Sequence, residues 1–149
     1  FEVDKVVGNE PAYHKDNSFK IVPLAIQEYF VNNIPIEDTI INHKNIYDFC
    51  GRQKFGKDSY GEIHYLQEDK IVVEKQQKNV RYYISKSNKV FIKQYSKGTS
   101  EVINKGFQIE IFNKFIEKSF ELYNIDYQFY IKEANKIIDI VNNKQLQLF

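Results

Sequence analysis

The chain has 149 residues, is 42% hydrophobic and 28% charged, and carries 21 Lys and Arg against 20 Asp and Glu. This composition excludes a disordered tail, a collagen-like repeat and a disulfide-stapled miniprotein. The length suits one domain, or two small lobes, with a real core.

In chain order, residues 1–20 read as irregular or extended, with Gly8 and Pro11 and a polar stretch to Asn17. Residues 21–51 read as helical. Pro23 suits the first turn of a helix bearing Leu24, Ile26, Tyr29 and Phe30, which Asn32-Asn33 should end. Pro35 opens a second short helix, with Glu37 and Asp38 at the end where the helix dipole favours negative charge. His43 to Cys50 forms a further turn or two, stopped by Gly51.

Residues 52–112 read as β. Gly56, Gly61, Glu68-Asp69, Gly98 and Gly106 separate runs rich in β-branched and aromatic residues: 60–66, 71–74, 80–85, 90–95 and 107–112. Val80, Tyr82 and Ile84 alternate with Arg81, Tyr83 and Ser85. After Lys86–Lys89, Val90 and Ile92 alternate with Phe91, Lys93 and Tyr95. The expectation is a hairpin with one aliphatic and one basic-aromatic face, as a half-buried antiparallel sheet requires.

Residues 113–142 return to helix. Tyr127, Tyr130, Ile131, Ala134, Ile137, Ile138 and Val141 share one face, with Asp126 or Asn124 as the cap and Asn142-Asn143 as the stop. Residues 143–149 then form an exposed tail. The expected fold class is α+β: short N-terminal helices, a small antiparallel sheet, a long amphipathic C-terminal helix and the tail.

The near-zero net charge hides an asymmetry. Residues 1–51 hold 4 Lys and 8 acids, and residues 52–149 hold 17 basic and 12 acidic residues. Between Glu74 and Glu101 there is no acid, yet seven basic residues occur: Lys75, Lys78, Arg81, Lys86, Lys89, Lys93 and Lys97. Such clustering is the usual footprint of a nucleic-acid contact. Lysines neutralise phosphates, while Tyr83, Phe91 and Tyr95 pack on sugars or bases. The plain alternative is a solvated lysine face, since 19 of the 21 basic residues are lysine.

Other chemistry is poorly supported. Gly51-Arg-Gln-Lys-Phe-Gly56-Lys57-Asp58 has nearly the spacing of a phosphate-binding P-loop. However, Asp58 stands where a Ser or Thr hydroxyl must bind Mg²⁺, and strands follow. His14, His43 and His64 lie far apart, with no set of four zinc ligands. Cys50 with His43 is conceivable as a nucleophile pair, but a buried Cys on an amphipathic helix is far commoner. Asp4, Asp16 and Asp38 are scattered. No metal site, cofactor or small-molecule substrate is therefore expected in this chain. One cysteine permits no internal disulfide and no apolar run reaches membrane-span length, so a cytoplasmic setting without membrane contact is expected. The chain opens on Phe1 and holds no methionine, which suggests a piece of a longer polypeptide.

Gln145-Leu146-Gln147-Leu148-Phe149 resembles the pentapeptide by which bacterial replication and repair proteins bind the β sliding clamp. Leu148 and Phe149 would be the apolar anchors and Gln145 an amide plug, with Leu146 among the clamp-binding residues, on a mobile end that enters a preformed pocket cheaply. Residues 6–43, including Lys15-Asp-Asn-Ser and Ala25-Ile-Gln-Glu-Tyr-Phe, are similar to the stretch where family B DNA polymerases of bacteriophage type leave the palm for the thumb. Gln77-Lys-Asn-Val-Arg-Tyr-Tyr-Ile84 resembles a thumb strand, and Tyr123-Asn-Ile-Asp-Tyr127-Gln-Phe-Tyr130-Ile resembles the closing tyrosine-rich helix.

The resemblance implies a palm end and thumb entry over 1–51, a thumb-like region over 52–142 and a clamp-binding tail over 143–149. It implies that the basic residues grip primer–template duplex. The family's catalytic Asp-x-x-Ser-Leu-Tyr and Tyr-x-Asp-Thr-Asp motifs are missing. Nucleotidyl transfer and its Mg²⁺ would therefore belong to sequence outside this chain. The alternative is a non-enzymatic replication or repair adaptor that binds nucleic acid and clamp.

Overall fold

A computed structural model describes residues 19–76, 79–87 and 89–147; side chains of 76 and 145–147 are not described. The fold is α+β. Three α-helices, seven strands and two short 3-10 turns occur among the described residues. They form two compact units. One joins Phe19–Phe49 to the residues from Asp126 onward, and the other comprises Cys50–Ile125. The units do not follow the boundaries expected from sequence, because helices from both ends of the chain share one of them.

In the helical unit, α1 (Ile21–Asn32) starts two residues before Pro23. Proline is tolerated there because first-turn N–H groups have no partner within the helix. Asn33 ends α1 in the left-handed region at φ 56° and donates its N–H to the Glu28 carbonyl. The buried stripe is Ile21, Val22 and Ala25, whereas Tyr29 and Phe30 are exposed. Helix α2 (Ile36–Asn42) follows Pro35, with Glu37 and Asp38 in its first turn. Helix α3 (Tyr127–Gln147) buries Tyr130, Ile131, Ala134 and Ile138, and leaves Ile137 exposed. Tyr130 is fully buried and its hydroxyl donates to the Phe49 carbonyl at 2.7 Å.

Two helix boundaries differ from expectation. Asn142-Asn143 do not stop α3, whose backbone stays helical to Gln147. Asparagine is only mildly unfavourable in a helix, and no Gly or Pro enforces a stop. Residues 113–126 are not α-helical, although Phe120–Tyr123 make a 3-10 turn. The Asn113 side chain accepts the Phe115 N–H at 2.9 Å, offering the backbone a local alternative to helix.

The second unit contains two antiparallel sheets where one was expected. Strands β1 (Cys50–Gln53), β4 (Val80–Ile84) and β7 (Ile109–Ile111) form a three-stranded sheet in the order β1-β4-β7. Strands β2 (Ser59–Gln67), β3 (Lys70–Gln76), β5 (Lys89–Ser96) and β6 (Thr99–Val102) form a four-stranded sheet in the order β3-β2-β5-β6. Strands β1 and β6 were not anticipated. Cys50 and Gly51 lie in β1 rather than in and after a helix.

The expected hairpin of β4 with β5 does not form, and the two strands belong to different sheets. Ser85 bridges to Ile125, and the Ser85 hydroxyl and the Lys86 N–H both donate to the Asn124 carbonyl at 3.0 Å. These bonds hold the end of β4 away from a tight turn.

Asn104 substitutes for a strand where β6 ends. Its buried side chain accepts the Ile92 N–H at 2.9 Å and donates to the Val90 and Phe107 carbonyls at 3.2 Å. Replacing Asn104 by Ala orphans these buried groups. The expected cost is about 2–3 kcal/mol, read from urea denaturation as a lowered midpoint with an unchanged slope. Gly61 of β2 admits a close approach: a Cβ there would lie 2.0 Å from the tip of the Phe55 ring, which would have to move aside. Among the described residues no helix is long and apolar enough to cross a membrane.

Candidate nucleic-acid interface

The four-stranded sheet has two unlike faces, and its register assigns every residue to one of them. Ile63, Val90 and Ile92 are buried on one face, where Ile63 lies opposite Ile92 and Tyr65 opposite Val90. On the other face four rows cross the sheet. Tyr60 lies opposite Tyr95, and Glu62 lies between Lys75 and Lys93. His64 lies between Val73 and Phe91, and Leu66 between Ile71 and Lys89. This alternation is imposed by the two-residue period of the strand.

The second face is an aromatic platform with lysines around it. Tyr60 and Tyr95 stack with ring centroids 5.1 Å apart and an interplanar angle of 12°. His64 and Phe91 stack at 4.7 Å and 17°. Lys75 Nζ sits 4.4 Å from the centre of the Tyr60 ring. Such a contact positions a cation over the π-face of the ring. Tyr60, Phe91 and Tyr95 are partly buried, the His64 side chain is 12% exposed, and Lys75 and Lys89 are exposed.

Glu62 is the acid on this face. Its carboxylate lies 3.0 Å from His64 Nε2, and a hydrogen bond to it from the Tyr95 phenol is the main cause holding the Tyr95 proton more tightly than usual. On the opposite face burial, then Glu74 and Glu110, push the Tyr65 phenol up to about 12.

The expected site residues divide accordingly. Lys75, Lys89, Phe91, Lys93 and Tyr95 come together on the platform face. Lys97 stands in the tight turn between β5 and β6, at φ 48° beside Gly98 at φ 82°. Lys86 is exposed in the connection between β4 and β5. Arg81 lies on the three-stranded sheet, directly opposite Arg52, and both are half-buried. Tyr83, expected on the open face, is 1% exposed: Tyr123 packs edge-on against its ring at 5.7 Å, and Tyr82 on the other face of β4 is buried as well. Burial, then Glu110, Cys50 and Tyr123, push the Tyr83 phenol far up. Lys78 lies outside the described residues.

Sequence reasoning missed Tyr60, Glu62 and His64. Their signal was the shared parity of 60, 62 and 64 beside inward-facing Ile63, but only the pairing of β2 with β5 joins them to the lysines.

The remaining candidates give less. After Lys57 the chain enters β2, where a P-loop requires a helix. His43 Nε2 bonds Asp48 Oδ2 at 2.6 Å, and Cys50 is buried in β1 opposite Tyr83. No group of three or more His, Cys, Asp or Glu among the described residues is arranged to hold a metal ion. Of the expected clamp peptide, Gln145, Leu146 and Gln147 have helical backbone, whereas Leu148 and Phe149 lie outside the described residues. The expected seven-residue exposed tail is therefore helical backbone as far as Gln147. Compared with family models, curated proteins and solved structures, the chain matches none.

Proposed function

We propose that the platform face of the four-stranded sheet binds nucleic acid through its phosphates without reading sequence. The observation that carries this reading is Lys75 poised over the Tyr60–Tyr95 stack, in the row next to Lys93. Phosphates supply the affinity and fix the register of such a complex, and aromatic edges add sequence-tolerant contacts to sugars or bases. In its fuller form, which rests on the sequence resemblance, the chain is the DNA-holding part of a family B type polymerase. Chemistry then lies elsewhere in the enzyme, and residues 145–149, which overlap the last turn of α3, are the clamp-binding peptide.

Glu62 makes the proposal testable from the favourable direction. It stands between Lys75 and Lys93, where it offsets part of their charge. Glu62→Gln keeps the size and an acceptor oxygen for Tyr95 but removes the negative charge. Affinity for a fluorescein-labelled primer–template should rise about 3-fold, with a steeper salt dependence. Fluorescence anisotropy titration checks it. Unchanged or weaker binding by a folded Glu62→Gln protein contradicts the assignment of this face.

A further inference from the structure

Strand β3 is an edge of the four-stranded sheet among the described residues. Edge strands expose unpaired N–H and C=O groups, and proteins usually keep them short or polar. The opposite edge, β6, obeys this rule with the four residues Thr-Ser-Glu-Val. β3 does not. It runs seven residues, Lys70–Gln76, and exposes three consecutive branched side chains: Ile71 at 58%, Val72 at 42% and Val73 at 47%.

We infer that β3 pairs antiparallel with β3 of a second copy of this chain, about a two-fold axis at Val72. In this register Lys70 faces Glu74 of the other copy and Ile71 faces Val73, while Val72 faces its own counterpart. Each charge within 70–74 thus meets its opposite, twice per dimer. A register shifted by one residue pairs Lys70 with Lys75 and Ile71 with Glu74, setting like charges together and an acid against an aliphatic group. Like charges directly opposite destabilise a sheet, and opposite charges support it.

The backbone is compatible as well. In an antiparallel pair alternate residues turn their N–H and C=O groups toward the partner, and the others turn theirs outward. Every pair in the Val72-centred register joins residues of like parity. Whichever set β2 leaves free, the two copies therefore present it to each other.

The contact is isologous, so it closes at two copies and does not propagate. It continues the sheet from four strands to eight and sets both platform faces on one side. The inference stands apart from the nucleic-acid reading and is tested without nucleic acid.

Sedimentation equilibrium on the full chain should show the average mass rising from 17.8 kDa toward twice that value with concentration. Lys70→Glu and Glu74→Lys each create two like-charge pairs, and each should weaken the dimer at least about 10-fold. The double variant K70E/E74K restores the complementarity and should restore the dimer. The altered side chains are exposed, so the folded chain should be retained, which circular dichroism checks. Val72→Cys places two thiols directly opposite, about 4.5–5.5 Å apart at Cα, within disulfide reach. Mild oxidation should cross-link it. Glu74→Cys, whose counterpart is displaced by roughly 13 Å along the strand, should not cross-link. A mass that stays at 17.8 kDa up to about 1 mM protein overturns the inference, since even weak specific pairing is populated there. So does a dimer indifferent to the charge swaps, or one in which the Glu74→Cys variant cross-links and the Val72→Cys variant does not.

Discussion

Reversing two lysines, Lys75→Glu and Lys93→Glu together, should reduce affinity for duplex DNA by about 10–100-fold at low salt. Both residues flank Glu62 in one row of the four-stranded sheet. The double variant leaves three acids in that row, directly beneath the position proposed for the phosphates. Each lost phosphate contact removes about 0.9 from the slope of log affinity against log salt, so the slope should flatten by nearly 2. A matched control is needed, because the same charge change anywhere lowers non-specific attraction. Lys132→Glu with Lys136→Glu on α3 alters exposed residues by the same charge. That pair should cost only a few-fold. Equal losses from the two pairs would mean that overall charge, and not the platform, governs binding. Anisotropy titrations at several salt concentrations separate the cases.

The second large effect concerns stability. Tyr130→Ala should destabilise the protein by about 3–5 kcal/mol, the usual cost of deleting a large buried aromatic side chain. Tyr130 is fully buried and meets Phe49, Phe19 and Phe129 edge-on, with centroids 5.2, 5.3 and 5.4 Å away. Edge-to-face pairs add to simple burial. Tyr130→Phe keeps these contacts but removes the donor to the Phe49 carbonyl, at an expected cost of about 1–2 kcal/mol. Stabilities of this size are a large fraction of a small protein's total. Urea denaturation followed by far-ultraviolet circular dichroism should rank the parent above Tyr130→Phe and Tyr130→Phe above Tyr130→Ala. A Tyr130→Ala protein as stable as the parent would contradict the packing.

The parts of the fold that follow from local chemistry were legible in the sequence. Pro35 with Glu37 and Asp38 marked α2, and Asn33 at a left-handed position ended α1. The alternation of Lys89–Ser96 and the turns at Glu68-Asp69 and Lys97-Gly98 placed β2, β3 and β5 to within a residue or two. The helical spacing of Tyr130, Ile131, Ala134 and Ile138 gave the buried side of α3.

What failed depends on pairings between distant segments. Tyr82 and Tyr83 look alike beside Arg81, and alternation assigns one inward and one outward. Both are buried, and the packing that does it comes from distant segments such as Tyr123, edge-on to Tyr83. Short turn spacing made β4 and β5 a hairpin, yet bonds from Ser85 and Lys86 to Asn124, some forty residues on, decide otherwise. The candidate site was half-visible for the same reason. Its lysines are clustered in sequence, but Tyr60, Glu62 and His64 join them only across the β2–β5 ladder. Arg81 belongs to the same run of positive charge and lies on the other sheet.

The most direct measurement is a nuclear magnetic resonance titration of the isotope-labelled full chain with a short primer–template duplex. The largest shift changes should fall on Tyr60, Glu62, Phe91, Lys93 and Tyr95, with Lys75 beside them. Changes that are absent at saturating DNA, or that gather on the β1-β4-β7 sheet around Arg52 and Arg81, would contradict it.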